Sequence, residues 1–234
     1  VLSRPNQTMA SSTSTGQPVW NVGILLFDNV EVLDFTGPYE VLSRARTEPG
    51  VLSRRTEDTA PFRVFTVAKK SHQSISAIGN LRVMADYSFD TSPLIHILLV
   101  PGGMGTMALV DDEETIAWIR LVADKPTTKL TTSVCSGALL LAKAGILDGK
   151  RATTHWSDLD DLEEFNSTIT VDRTLRWVED GNIVTSAGVA AGIDMAFHIV
   201  ERMCGKAVAD DTALYMEYPR RLATDPRTTT LISS

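Results

Sequence analysis

The sequence predicts an α/β fold in which a doubly wound, mostly parallel sheet is flanked by helices. Continuously apolar runs at residues 19–27 and 95–100 are typical of strands that a parallel sheet buries on both faces. Stretches of helical length, such as residues 188–204, alternate with these runs. No linker rich in Pro, Gly or Ser divides the sequence. We therefore expect a single α/β domain at residues 19–234, preceded by a flexible N-terminal arm at residues 1–18.

The elements between these runs follow from apolar periodicity and turn residues. Thr36-Gly37-Pro38 interrupts residues 30–45, which predicts a break and then a helix start. The other predicted elements are, in order, a strand at 62–68, a hairpin at 75–84 that turns at Gly79-Asn80, a helix at 111–123, a strand at 151–156, a helix at 158–165, strands at 168–171 and 183–186, and helices at 188–204 and 208–218.

The composition is that of an ordinary globular chain, and it restricts the partners. Of 234 residues, 43% are hydrophobic and 22% are charged, and the formal net charge is −7. Because no basic run or stripe occurs, we expect neither nucleic acid nor an anionic membrane as a partner. No run approaches the roughly 18 apolar residues of a membrane span. Residues 1–18 lack the apolar core of a secretory signal.

The cysteine content points to a reducing compartment. The chain has two cysteines, Cys135 and Cys204, which is too few for a disulfide framework. We therefore expect a cytoplasmic setting. Metal-ligand spacings such as CxxC, HxxxH or HExxH do not occur, and the acidic residues 158–164 resemble a solvated helix face. The sequence therefore predicts no metal site.

Residues 128–144 predict a buried strand, a sharp turn at Cys135-Ser136-Gly137 and an apolar helix. Such a turn aims the Cys135 side chain at the first free N–H groups of the helix, which favour a thiolate over a thiol. The alternative is that Cys135 is a small buried residue, as most free cysteines are. On this stretch alone the two interpretations have equal weight.

Three loops are expected to meet at the carboxyl ends of the strands, where ligands bind in such sheets. They contain residues 28–38, residues 101–106 and the Cys135 turn. Gly102 and Gly103 let backbone N–H groups approach a bound atom, as an oxyanion donor must. A plain tight turn is the alternative for this loop. It matches neither phosphate-loop nor dinucleotide-binding spacings.

Two further side chains are candidates for proton transfer. Asp34 has the apolar neighbours Leu33 and Phe35, which predicts a raised carboxyl pKa. The alternative role for Asp34 is a helix cap. His155 follows the next predicted strand and could pair with Cys135, as in thiol nucleophiles, or could be satisfied within a packed loop.

Five motifs together resemble the ThiJ/PfpI superfamily. In chain order they are Asp34-Phe-Thr-Gly-Pro, Val100-Pro-Gly-Gly, Ser133-Val-Cys-Ser-Gly, Ala152-Thr-Thr-His-Trp, and Thr185-Ser-Ala-Gly with Ala191-Gly-Ile-Asp. They span about residues 19–218, nearly the whole chain. The resemblance implies a flavodoxin-like, class I glutamine amidotransferase-like fold and a homodimer.

Within that superfamily the motifs look most like the isocyanide hydratase branch, because Asp34 stands where the protease and deglycase branches usually carry Glu. The resemblance implies Cys135 as nucleophile and Asp34 as its protonated or water-handling partner. It places the amides of Gly103 and Ser136 in an anion-stabilising pocket, with Gly102 and His155 also at the substrate. The substrates would be an isocyanide and water, with no cofactor.

One departure from the family pattern bears on the reaction. The protease-like branch has His directly after the Cys, and the hydratase typically has Thr, whereas this chain has Ser136. That residue disfavours a peptidase. Two alternatives remain: a glyoxalase or deglycase that acts on reactive carbonyls, and a non-catalytic redox or stress sensor in which Cys135 is oxidised. Regulators with similar motifs carry a C-terminal helix-turn-helix module, and we expect none within the residues that follow Tyr218 in this sequence.

Overall fold

A seven-stranded sheet forms the centre of the computed structural model, which describes residues 18–70, 72 and 74–225. The strand order is β10-β11-β7-β6-β1-β2-β5. The seven strands are β1 (Trp20–Leu25), β2 (Phe62–Ala68), β5 (Tyr87–Ser88), β6 (Ile97–Val100), β7 (Leu130–Val134), β10 (Trp177–Asp180) and β11 (Ile183–Ser186). Every neighbouring pair is parallel except β10 and β11. The predicted mostly parallel sheet is confirmed.

Two short ladders accompany the sheet. The predicted hairpin is present as β3 (Ser74–Ser76) and β4 (Arg82–Met84), which pair antiparallel. Gly79 and Asn80 have φ angles of 75° and 64° at its turn. The second ladder pairs β8 (Arg151–Ala152) with β9 (Thr170–Val171) in parallel. Apart from Pro18, the predicted N-terminal arm lies outside the described residues.

Helices cover both faces of the sheet. They are α1 (Val32–Arg44), α2 (Thr106–Leu109), α3 (Glu113–Ala123), α4 (Gly137–Lys143), α5 (Leu159–Phe165), α6 (Ala191–Cys204) and α7 (Lys206–Tyr215). α1, α6 and α7 pack on one another, and α4 packs on α2, α3 and α5. β6 and β7 are buried along their whole length between these layers, as the apolar run of β6 and the β-branched residues of β7 predict. None of the helices in the described part of the chain has the length and apolar character that a membrane crossing requires.

The predicted break at Thr36-Gly37-Pro38 is wrong, because α1 continues through it. Pro38 lies inside the helix, where its ring removes one backbone N–H donor. The helix tolerates this because Gly37 and Pro38 are buried where α1 packs on α6. An ideal Cβ at Gly37 would lie 2.8 Å from Ile193, so the close approach of the two helices requires a glycine there. Tertiary packing overrides the local signal.

The sheet edge also differs from the prediction. β10 is an antiparallel edge strand that the sequence does not predict, since two of its four residues are Glu179 and Asp180. The predicted strand at 151–156 ends at Ala152. The Thr153 amide then donates to Thr185 Oγ1 at 2.8 Å, which takes the chain out of the ladder. This departure carries the following residues toward the end of β7.

Replacing Asp194 in the Ala191-Gly-Ile-Asp motif with alanine should cost about 3–5 kcal/mol of unfolding free energy. Asp194 is fully buried, and its Oδ2 accepts from Arg176 at 2.6 and 3.1 Å. The variant leaves the buried Arg176 guanidinium without its counter-charge. Urea unfolding measures the loss. As a control, Asp160→Ala removes an exposed partner of Arg173 and should cost less than about 1 kcal/mol; equal losses would contradict this role for Asp194.

Candidate active site

The turn at Cys135 connects β7 to α4 as the sequence predicts. Cys135 has a φ of 57°, in the left-handed region that residues with a Cβ rarely adopt. Its amide lies 3.3 Å from the carbonyl oxygens of Ser186 and Ala187, and its own carbonyl accepts from Thr154 Oγ1 at 2.7 Å. These contacts hold the strained turn in place. The side chain is therefore presented from a fixed backbone.

The three predicted loops meet at the carboxyl ends of the strands. The Gly102 amide donates to Asp34 Oδ2 at 3.0 Å, and the Gly103 amide donates to Ser136 Oγ at 3.0 Å. The Glu31 amide donates to the Gly102 carbonyl at 2.9 Å. Gly103 has a φ of 125°, and a Cβ on it would lie 2.4 Å from the Glu31 nitrogen. The loop 101–106 is therefore built around backbone contacts that glycine permits.

Asp34 is a buried acid rather than a helix cap. Its side chain makes no cap hydrogen bond at the start of α1, where Glu31 is the N-cap residue. The residue is completely buried, and Oδ1 has no hydrogen-bond partner among the described residues. Burial raises the carboxyl pKa to about 7, the charge of Glu31 adds to the rise, and hydrogen bonds from the Gly102 amide and Cys135 oppose it. Asp34 therefore exchanges a proton near neutral pH.

The Cys135 side chain is a thiol at rest, contrary to the thiolate expected from the helix start. Burial is the largest cause that raises its pKa, and the negative charges of Asp34 and Asp158 add to it. Hydrogen bonds from the Ser136 and Val189 amides lower the pKa without reversing the rise. α4 has seven residues, and its N-terminal N–H groups do not overcome the burial. Burial and the neighbouring negative charges therefore both favour the neutral thiol.

The amides around the sulfur differ in part from those predicted. The Gly102 amide donates its hydrogen bond to Asp34, and the Gly103 amide donates to the Ser136 hydroxyl. That hydroxyl also lies 3.1 Å from Thr106 Oγ1. Of the predicted pair, the Ser136 amide faces the sulfur, and the Val189 amide is its second donor. Ser136 therefore makes two kinds of contact. Its amide donates to the Cys135 sulfur, and its hydroxyl contacts the loop 101–106.

A cavity of about 310 Å³ opens over Cys135. Its lining combines polar and apolar side chains: Glu31, Ile78, Gly103, Met104, Met107, Cys135, Ser136, His155, Ser157, Asp158 and Val189. His155 lies close to the cysteine, as its position after the next strand predicts. Ligand atoms of Cys135, His155 and Asp158 all lie within 4.8 Å of one another, so these three residues could hold a metal ion. The sequence does not predict this grouping.

The pattern of the DJ-1/PfpI family matches residues 21–202. The chain belongs to this family. It is 37% identical over 197 residues to the isonitrile hydratase of Pseudomonas putida, a match that covers 84% of this chain and 78% of that protein. Isonitrile is a synonym of isocyanide. The chain is also 27% identical to the HTH-type transcriptional regulator GbdR of Pseudomonas aeruginosa, covering 81% of this chain and 48% of the regulator.

Solved structures of the DJ-1/PfpI family share the fold. A ThiJ/PfpI family protein from Pseudomonas syringae superposes with a TM-score of 0.75 at 26% identity, covering 99% of this chain and 90% of that one. Drosophila melanogaster DJ-1beta superposes with a TM-score of 0.72 at 20% identity, covering 86% and 99% of the two chains. These likenesses confirm the flavodoxin-like, class I glutamine amidotransferase-like architecture that the motifs imply.

Several residues of this DJ-1/PfpI site are not predicted from the sequence, among them Glu31, Asp158 and Val189. Val189 lies three residues after the end of β11, and β11 is the parallel neighbour of β7, so the loop after β11 lies beside the Cys135 turn. This parallel pairing is the feature from which the position of Val189 near Cys135 could have been predicted. Asp158 lies in the acidic stretch at 158–164, and its sequence gives no indication that one carboxylate turns toward the cavity.

Proposed function

We propose that this DJ-1/PfpI protein is an isonitrile hydratase that converts R–N≡C and water into the N-substituted formamide R–NH–CHO. The observation that carries the proposal is the completely buried Asp34 carboxyl, whose pKa burial raises to about 7, beside Cys135, which lines the cavity. The 37% identity to the Pseudomonas putida enzyme supports the same substrate class.

The first step adds the Cys135 S–H across the terminal carbon of the isocyanide. That carbon must be protonated as the sulfur attacks it, because it otherwise acquires a full negative charge. Protonated Asp34 delivers its proton to the carbon and takes the thiol proton in exchange. The product is the thioimidate R–N=CH–S–Cys135. The raised pKa of the thiol agrees with this exchange, because the thiol passes its proton to Asp34 as the C–S bond forms and no free thiolate is needed.

The second step returns the enzyme to its starting state. Water adds to the thioimidate carbon, and Asp34 relays one water proton to the nitrogen, which gives R–NH–CH(OH)–S–Cys135. The C–S bond then breaks, the hydroxyl proton returns to the sulfur, and the formamide leaves. Hydrogen bonds from the Ser136 and Val189 amides stabilise the sulfur as it departs. The steps consume one water and need no cofactor.

The cavity lining indicates the kind of R group. Ile78, Met104, Met107 and Val189 supply apolar surface, and Met104 and Met107 are largely exposed at the mouth. Methionine adapts its shape to different apolar ligands. A volume of about 310 Å³ fits a small alkyl or aryl group. We therefore propose uncharged alkyl and aryl isocyanides as substrates.

The remaining expectations from the sequence belong to the same proposal. The resemblance to the family supports a homodimer in the cytoplasm, and residues 19–234 would act as one domain. The net charge of −7 supports a small molecule rather than a nucleic acid as partner. Light scattering on the purified protein measures the assembly.

The deciding experiment mixes the purified protein with cyclohexyl isocyanide and follows the formyl proton of the product by NMR. We expect stoichiometric formamide with multiple turnovers. A parallel sample receives methylglyoxal. Consumption of methylglyoxal without formamide would replace the hydratase with a glyoxalase-type enzyme. If neither compound is consumed, the sensor alternative, in which Cys135 is oxidised, takes its place.

A further inference from the structure

Three potential metal ligands of different chemistry converge at the cavity. They are Cys135 at the end of β7, His155 before the short 3₁₀ helix Trp156–Asp158, and Asp158 at the end of that helix. Their ligand atoms all lie within 4.8 Å of one another. Cys135 is buried, and the other two are half-buried at the cavity wall. The cluster is therefore reachable from the cavity rather than sealed in the core.

Ser157 orients two of these side chains. Its hydroxyl lies 2.7 Å from His155 Nδ1 and 2.6 Å from Asp158 Oδ1, and its amide lies 3.3 Å from the same ring nitrogen. The Ser157 amide donates to His155 Nδ1, so this nitrogen is an acceptor and the neutral ring carries its proton on Nε2. Zinc ligation through Nε2 requires the other tautomer, in which Nδ1 donates its proton to the Ser157 hydroxyl while that hydroxyl donates to Asp158. A hydrogen bond to the other ring nitrogen is the usual support of a ligating histidine.

We propose that Cys135, His155 and Asp158 form a Zn²⁺ site that switches the enzyme off reversibly. Thiolate, imidazole and carboxylate are the three protein ligands that zinc takes, and three such ligands leave a fourth tetrahedral position for water from the cavity. The thiol and imidazole ligands disfavour Mg²⁺ and Ca²⁺, which select oxygen. On binding, a Zn–S bond forms and the Cys135 proton is released to solvent. The nucleophile is then blocked, and chelation restores it.

The geometry requires a modest closure. Zinc bond lengths of about 2.0–2.3 Å place tetrahedral ligand atoms about 3.5 Å apart, against separations of up to 4.8 Å here. Cys135 is fixed by its turn, so the side chains of the half-buried His155 and Asp158 must move to shorten these separations. An ideal Cβ at Gly188 would lie 2.0 Å from the His155 ring. Any larger residue at position 188 would therefore clash with the ring in its present position.

Cobalt spectroscopy tests the site without any reference to turnover. Purified metal-free protein is titrated with Co²⁺, and tetrahedral thiolate ligation gives a sulfur-to-cobalt charge-transfer band in the near ultraviolet with intense d–d bands. We expect this signature in the wild type and at full strength in Cys204→Ser. We expect it to disappear in Cys135→Ser. Zinc should displace cobalt and bleach the bands.

The two other ligands are tested by near-isosteric substitutions. Asp158→Asn and His155→Gln should weaken Co²⁺ binding by at least about 100-fold, and Ser157→Ala, which removes the orienting hydroxyl, by about 10-fold. Circular dichroism checks that each variant is folded. The proposal fails if the wild type shows no charge-transfer band, or if Asp158→Asn and His155→Gln bind cobalt as tightly as the wild type. Failure of isocyanide turnover alone leaves these spectra unchanged, so the two proposals fail separately.

Discussion

Cys135→Ala is expected to lower the kcat for isocyanide hydration by at least about 1,000-fold, because the covalent route disappears with the sulfur. The neighbouring hydroxyl cannot replace it. Ser136 Oγ accepts from the Gly103 amide and contacts Thr106 Oγ1, so it is held away from the reacting carbon. Initial rates of formamide production measure the loss. Intact-mass analysis should show a substrate adduct on the wild type and none on the variant.

Cys204 supplies the matched control. It is the other free cysteine and lies at the end of α6, outside the cavity lining. Burial raises its pKa to about 11, so it is no more reactive than an ordinary thiol. Cys204→Ala should keep the wild-type rate within about twofold. A Cys135→Ala enzyme that retains most of its rate, or a Cys204→Ala enzyme that loses it, would contradict the assignment of the nucleophile.

The sequence predicts the sheet well because its strands carry strong, unambiguous patterns. Residues 62–68 and 183–186 are strands with the predicted bounds, and the buried β6 and β7 follow from uninterrupted apolar or β-branched runs. β10 is not predicted because its polar and apolar residues do not alternate clearly, as is common in an edge strand. The course of α1 through Pro38 depends on packing against α6, which is non-local. Periodicity contains no information of that kind.

The site is predictable where one element positions a residue, and it escapes prediction where several elements act together. Because parallel strands end at the same edge of the sheet, Asp34, Cys135 and the loop 101–106 lie together, as the structure shows. The protonation state of Cys135 does not follow from its own helix. It depends on burial and on the charges of Asp34 and Asp158, which lie 101 and 23 residues away from it in sequence on other elements. The roles assigned to these residues stay predictions until the variants are measured.

Asp34→Asn is expected to lower kcat by about 100- to 10,000-fold, the usual contribution of a positioned acid–base group. Asparagine matches the shape of Asp34 and can still accept from the Gly102 amide, but it transfers no proton. In the wild type, kcat/KM should fall as pH rises above about 7, because the proton donor is lost when Asp34 ionises. The residual activity of Asp34→Asn should lack this alkaline fall. Rate profiles from pH 5 to 9 compare the two enzymes.

The same substitution should stabilise the protein at alkaline pH. The pKa of Asp34 is about 7 when folded against 3.8 as an ordinary carboxyl, so the folded chain holds a proton that the unfolded chain releases between these values. Its contribution to stability is therefore complete below pH 4 and is lost as pH rises to 7. The loss amounts to about 4 kcal/mol, and Asp34→Asn should gain up to that amount over the wild type between pH 4 and pH 8.

Urea unfolding of both proteins at pH 4, 6 and 8 measures this difference and separates a catalytic acid from a structural one. If Asp34 served only to accept from the Gly102 amide, asparagine would replace it, so the variant would keep its activity and the alkaline limb of the rate profile. A carboxyl kept buried without a counter-charge for proton transfer gives the opposite pair of results: stability is gained and activity is lost together. The unpartnered Oδ1 of a fully buried Asp34 is the structural reason to expect that pair.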